Sequence, residues 1–127
     1  MEKSVWVKAG CRLISIDLKS LVFIYGNKHG CKVILLPVGK HIAEEVPVSN
    51  SLSSLEKKLT DNNIIRCHRN YLVNRNFHKH FNVVESKIYF KAYEIPISRR
   101  SFKKVLNEFN LNTVKNGTGK DSLCRTG

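Results

Sequence analysis

Apolar and polar residues alternate over short stretches in the first half of the chain, with the period of two that is typical of β-strands. Val5 and Val7 share one side of such a stretch, and Leu21 to Tyr25 is a run of β-branched, aromatic and other apolar residues. The segment Gly26 to Gly30 begins and ends with glycine and separates this run from Cys31 to Leu36. The pattern predicts strands joined by short turns, as in β-hairpins.

One helix is predicted between these strands and those that follow. Three leucines recur at i, i+3 and i+7, which places them on a single apolar stripe. They are Leu52, Leu55 and Leu59. The start of the helix stays open, because Ser53 and Glu56 fit a capping box while Asn50 and Ser51 are alternative caps.

Strands resume after this helix. Ile64 to His68 and Tyr71 to Asn74 are two short stretches, and Phe77 to Val84 alternates apolar and polar residues. Lys87 to Lys91 alternates in the same way. Ile95 to Ile97 is predicted as an edge strand, because its proline cannot donate a backbone hydrogen bond.

A second helix is predicted at the end of the ordered chain. Ser98 is suited to cap it, and four apolar residues follow at helical spacing. They are Phe102, Val105, Leu106 and Phe109. From Asn112 the sequence is polar and contains two glycines. We therefore expect one domain over residues 1–111 and a mobile tail over residues 112–127.

Charge is the informative part of the composition. The 127 residues carry a formal net charge of +12, and residues 61–127 hold 13 basic against 5 acidic side chains. Such an excess is expected of a protein that binds a polyanion. No apolar run approaches the ~20 residues of a membrane span, and the N-terminus does not resemble a signal peptide. We therefore expect a cytoplasmic protein with no membrane partner.

The cysteines and histidines predict neither a metal site nor a cofactor. The four cysteines, Cys11, Cys31, Cys67 and Cys124, contain no CxxC pair and are predicted to be reduced thiols. No group of them has the spacing of a zinc finger.

Two short segments combine basic and hydroxyl or amide side chains. The first, residues 65–74, contains Arg69 and Asn70 at the junction of two predicted strands. The second, residues 95–101, contains Arg99 and Arg100 at the predicted start of the last helix. Arginine can bind guanine through two hydrogen bonds in the major groove, and free backbone N–H groups favour phosphate.

These segments carry a family resemblance. Cys67 to Asn74 resembles the H-R-S-Y-L-V-N motif of the LytTR DNA-binding domain of bacterial response regulators, and Pro96 to Arg99 resembles its P-[VI]-S-R element. The resemblance covers about residues 5–110. Most members carry an N-terminal receiver domain, so we expect either a stand-alone module or a fragment here.

The resemblance implies a fold and a function. The fold is mostly β, an elongated antiparallel multi-sheet β-sandwich with one short helix between strands, to which the periodicity adds a C-terminal helix. The function implied is that of a transcriptional regulator that binds double-stranded DNA. Its loops would read successive major grooves, and two copies would bind paired repeat sites as a dimer.

The resemblance also implies contact residues by position. The base-contacting residues are Arg69, Arg99, Arg100, His29 and Cys31. The phosphate-contacting residues are Lys28, Lys32, Asn70, Ser98 and Ser101. Two positions depart from the family pattern. Asn70 occupies the usual serine position, and Cys31 falls where a polar side chain often stands, which leaves His29 as its substitute.

Two other functions are weighed against this one. An RNA- or ribosome-associated binder would favour paired exposed aromatics, and the sequence has no such motif. A His-Asn-His type nuclease would use His68, Asn74, His78 and His80, but the acidic metal ligands expected nearby are missing from the sequence. We therefore expect a binding protein and not an enzyme.

Overall fold

The computed structural model describes residues 4–59 and 63–109. They divide into two compact units. The first takes its described residues from 1–66 and 70–74, and the second from 67–69 and 75–127. The predicted tail at residues 112–127 lies outside the described residues.

The first unit contains a two-stranded and a five-stranded sheet. Its strands are β1 (Ser4–Ala9), β2 (Arg12–Asp17), β3 (Leu21–Asn27), β4 (Gly30–Leu35), β5 (Glu44–Val48), β6 (Ile64–His68) and β7 (Tyr71–Asn74). β1 and β2 form an antiparallel hairpin, and the larger sheet has the order β5-β4-β3-β7-β6. β3 pairs antiparallel with both of its neighbours. The chain passes into the second unit at Cys67, near the end of β6.

β3 is the central strand of the larger sheet. Its residues Leu21, Val22, Phe23 and Ile24 are at most 2% exposed, so both faces of the strand are covered. A continuous apolar run is what such a strand requires, because successive side chains point to opposite faces.

The core of the first unit joins the hairpin, the larger sheet and the helix α1 (Leu52–Lys58). Val7 and Ile16 contribute from the hairpin, and Leu55 contributes from the predicted leucine stripe. Leu55 is 0% exposed. Complete burial of one such side chain is worth about 1.5–3 kcal/mol, so the stripe anchors α1 to the sheet.

Ser51 caps α1. Its hydroxyl accepts a hydrogen bond from the backbone N–H of Ser54 at 3.1 Å. The Asn50 side chain does not cap α1, because its amide oxygen accepts a hydrogen bond from the backbone N–H of Lys8. Of the caps that the sequence left open, Ser51 is therefore the one that forms.

The second unit contains one small sheet and two helical segments. They are a 3-10 helix (Arg75–His80), β8 (Asn82–Val84), β9 (Lys87–Phe90), β10 (Tyr93–Pro96) and α2 (Phe102–Glu108). The sheet is antiparallel with the order β10-β9-β8, so the proline-containing strand lies at an edge as predicted. The predicted mostly β fold of several antiparallel sheets, with one helix between strands and one at the C-terminal end, is confirmed.

The predicted strand from Phe77 to Val84 is wrong over its first half. The chain forms the 3-10 helix there, and only Asn82–Val84 is a strand. Phe77 and Phe81 are both 9% exposed. Two apolar residues four positions apart fit a helical turn as well as an alternating strand. The spacing therefore could not distinguish a strand from a helix at this segment.

The predicted start of the second helix is also wrong. Ser101 occupies the N-cap position of α2, and Ser98 instead begins the turn that precedes it. The backbone N–H of Ser101 lies 3.0 Å from the carbonyl oxygen and 3.2 Å from the hydroxyl of Ser98. Arg99 and Arg100 therefore lie in a turn and not in the first turn of a helix.

We predict that the buried amide of Asn74 stabilises the first unit. Asn74 is 2% exposed, and its Nδ2 donates to the carbonyl oxygen of Leu21 at 2.7 Å. Asn74→Ala should lower the free energy of unfolding by about 1–3 kcal/mol, because a buried carbonyl loses its donor. Urea denaturation followed by circular dichroism measures this change.

The matched control is Asn82→Ala, since Asn82 is exposed at the start of β8. This variant should shift the free energy of unfolding by less than about 0.5 kcal/mol. Equal losses in the two variants would show that the Leu21 carbonyl does not depend on Asn74.

Candidate nucleic-acid interface

Residues 67–69 of the first basic segment and the second basic segment are joined within the second unit. The backbone N–H of Ser98 donates to the carbonyl oxygen of Cys67 at 2.8 Å. The Cys67 thiol lies 3.6 Å from the carbonyl oxygen of Pro96, within hydrogen-bonding distance for sulfur. Segments that lie some thirty positions apart in the sequence are thus held side by side.

Two residues at this junction are buried, and the arginines beside them are exposed. Cys67 is 0% exposed and Ile97 is 5% exposed. Arg69, Arg99 and Arg100 are exposed. The exposed Arg99 and Arg100 therefore follow the buried Ile97, and the exposed Arg69 follows the buried Cys67.

A hydroxyl pair fixes the turn that carries two of these arginines. The hydroxyls of Ser98 and Ser101 are 3.0 Å apart, in addition to the backbone bond across the turn. Both serines are half-buried. Each arginine guanidinium is planar and presents its N–H donors in a fixed arrangement. A backbone turn that holds the arginine in place therefore favours binding to two hydrogen-bond acceptors in one plane.

A second group of predicted contact residues lies in the first unit, at the turn between β3 and β4. Asn27 pairs with Gly30 across this turn, which leaves Lys28 and His29 at its tip. The backbone N–H of His29 donates to the Asn27 side chain at 2.7 Å. Lys28 and His29 are both exposed.

Gly30 is required where this turn enters β4. Its φ is +134°, and a Cβ atom there would lie 2.5 Å from the carbonyl oxygen of Val48. Any other residue would clash and adopt a strained backbone. The turn therefore keeps its position against β5.

Asn70 lies at the same end of the larger sheet as this turn. Its carbonyl oxygen accepts the backbone N–H of Gly26 at 2.8 Å, and its side chain is exposed. The first unit thus brings together three of the predicted contact residues, Lys28, His29 and Asn70.

Cys31 differs from these residues because its side chain is in the core. It is 4% exposed, and its Sγ would lie 3.2 Å from a Cβ atom at Gly26. Burial raises the pKa of the Cys31 thiol, and the nearby charge of Arg66 opposes that shift. The thiol is therefore neutral and turned away from solvent, which leaves His29 as the exposed side chain at this turn.

Three half-buried side chains form a row in which only Lys32 was predicted from the sequence as a contact residue. Tyr25 on β3 lies opposite Lys32 on β4 and opposite Tyr71 on β7. Glu45 on β5 forms an ion pair with Lys32 at 3.7 Å. The two-residue turn observed between Asn27 and Gly30 sets the pairing of Tyr25 with Lys32, but the register of β5 follows from no local signal.

Two of the four residues considered for a nuclease form contacts within the protein. Asn74 is buried on the carbonyl oxygen of Leu21, and Nδ1 of His78 lies 3.1 Å from the carbonyl oxygen of Arg75. Within residues 4–59 and 63–109 there is no group of three or more His, Cys, Asp or Glu side chains placed to hold a metal ion. The helices of the same residues include none long and apolar enough to cross a membrane.

Comparisons with known proteins agree with this architecture. The model of the LytTr DNA-binding domain family matches residues 11–110. The fold is similar to the LytTr DNA-binding domain of a putative methyl-accepting/DNA response regulator from Bacillus cereus, with a TM-score of 0.60 and 18% sequence identity. That similarity covers 85% of this chain and 97% of the other.

The search of curated proteins gave no match. The family model nevertheless spans both basic segments and most of the chain. The resemblance noted in the sequence is confirmed, and the chain belongs to the LytTR DNA-binding domain family.

Proposed function

We propose that the protein is a sequence-specific, non-catalytic transcriptional regulator that inserts loop residues into successive major grooves of double-stranded DNA. One observation carries the proposal. The hydrogen bond from Ser98 to Cys67 holds two arginine-bearing segments together, with all three arginines exposed. Membership of a DNA-binding family supports it further.

The base contacts are assigned to the arginines of the second unit. Arg69, Arg99 and Arg100 are each able to donate two parallel hydrogen bonds to the O6 and N7 atoms of guanine. His29, exposed at the tip of the β3–β4 turn, is assigned a base contact in a neighbouring groove. These few side chains would select the sequence that is bound.

The phosphate contacts are assigned to residues that flank these groups. They are Lys28, Lys32, Asn70, Ser98 and Ser101. Cations that neutralise phosphates release condensed counterions, which supplies affinity without sequence preference. The formal net charge of +12 strengthens this general attraction.

The proposal extends to the setting in which the protein acts. Two copies would bind paired repeats as a dimer on DNA, in the cytoplasm and in a two-component context. A selection from random duplexes tests this arrangement. It should recover two copies of one short motif at a fixed spacing, whereas a single motif would count against paired binding.

We predict that the arginines contribute mainly to specific binding. Arg69→Ala and Arg100→Ala should each weaken binding to the selected duplex by about 1–3 kcal/mol and change binding to random duplexes much less. Fluorescence anisotropy on the two duplexes measures both affinities. Arg12→Ala is the control, because Arg12 is also exposed but lies in β2. An equal loss in the Arg12 variant would refute the assignment.

We predict that Lys28 acts through charge alone. Lys28→Ala should weaken binding to specific and random duplexes equally, and should reduce the slope of log affinity against log salt by about 0.9. Lys19→Ala is the matched control, since Lys19 is exposed beyond the other end of β3. A Lys28 variant that loses only specific binding would argue for a base contact instead.

A further inference from the structure

The row of Lys32, Tyr25 and Tyr71 runs across three adjacent strands of the first unit. Residues directly opposite each other on antiparallel strands share one face of the sheet, with Cβ atoms about 4.5–5.5 Å apart. The row lies two residues from the β3–β4 turn and next to the Gly26–Asn70 hydrogen bond. It therefore borders the Lys28 and His29 turn.

The two tyrosine rings support each other. Their centroids are 5.7 Å apart and their planes meet at 23°. The Tyr71 ring also stacks on Phe23, at 6.4 Å and 28°. A stacked ring loses little additional freedom when its hydroxyl binds a partner, so the row is preorganised.

The row stands where the apolar part of this sheet face ends. Phe23, Ile34 and Val73, one step further along the same strands and face, are at most 2% exposed. Tyr25, Tyr71 and Lys32 are half-buried. Among the described residues no side chain hydrogen-bonds the Tyr25 hydroxyl. The row thus combines a cation with a phenol hydroxyl that no described side chain binds.

Glu45 competes for the cation of this row. Its carboxylate lies 3.7 Å from Nζ of Lys32, and the two side chains are 45% and 43% exposed. A pair so exposed is weak and easily exchanged. An anionic ligand that also accepts a hydrogen bond from Tyr25 offers Lys32 a better partner.

We propose that Lys32 and Tyr25, supported by Tyr71, bind one phosphodiester group of the DNA backbone, and that Glu45 limits this contact by holding Lys32. The inference rests on the proposed function, because it requires DNA beside the β3–β4 turn. Lysine supplies charge, and tyrosine donates a hydrogen bond to a phosphate oxygen. Binding exchanges the Lys32–Glu45 pair for the phosphate.

Three variants test the row, each with a control matched in the second unit. They are Tyr25→Phe with Tyr89→Phe, Lys32→Gln with Lys87→Gln, and Glu45→Gln with Glu94→Gln. Tyr89 is half-buried on β9, and Lys87 and Glu94 form an ion pair at 3.4 Å with side chains 50% and 53% exposed. Each control therefore repeats the chemical change at similar exposure.

Affinity is measured by fluorescence anisotropy on one duplex over a series of salt concentrations. Tyr25→Phe should bind about tenfold more weakly with an unchanged salt slope, because a neutral hydroxyl releases no counterion. Lys32→Gln should weaken binding and reduce the slope by about 0.9. Glu45→Gln should tighten binding several-fold at low salt, while each control changes affinity less than about twofold.

The outcomes separate the two proposals. If the unaltered protein binds no duplex, the proposed function itself fails. If it binds DNA but Tyr25→Phe and Glu45→Gln behave like their controls, the phosphate contact of Tyr25 and the competition by Glu45 are overturned. A Lys32→Gln variant with an unchanged salt slope would overturn the phosphate contact of Lys32 as well. Circular dichroism is the check that each variant is folded, since Phe keeps the ring of tyrosine and Gln keeps the shape of glutamate.

Discussion

The candidate interface depends on one backbone hydrogen bond, from the N–H of Ser98 to the carbonyl oxygen of Cys67. It joins the end of β6 to the segment that follows β10, and the Cys67 thiol near the Pro96 carbonyl reinforces the junction. Cys67 is buried and Ser98 is half-buried, so solvent has limited access to the bond. Together these two contacts bring the backbone near Arg69 close to the Arg99–Arg100 turn.

A second constraint, the register of β3, organises the first unit. Because successive side chains of a strand point to opposite faces, a slip of one residue would move every side chain of β3 to the other face. The same register places Tyr25 beside Lys32 and Tyr71, and sets the β3–β4 turn beside Asn70. Burial in the middle of the strand therefore positions the charged groups at its end.

Sequence patterns predicted much of this fold but less of the site. The leucine stripe of α1 and the alternation in β9 were sufficient to predict a helix and a strand, since each pattern fits only one type of secondary structure. Phe77 and Phe81 fit the spacing of a helix as well as that of a strand, so their pattern did not decide between the two. The hydroxyl of Ser98 accepts a hydrogen bond within the turn before α2 and does not cap the helix. The nearness of Cys67 to Ser98 and the ion pair of Glu45 with Lys32 are long-range contacts, which no local propensity encodes.

The central claim is that Arg69 and the Arg99–Arg100 turn recognise DNA as one rigid unit. A double-mutant cycle on the selected duplex tests it most directly, by comparing the Arg69→Ala, Arg100→Ala double variant with the two single variants. A shared frame predicts an interaction energy of about 0.5–3 kcal/mol. Losses that add to within about 0.3 kcal/mol would show that the two arginines act independently and would contradict the claim.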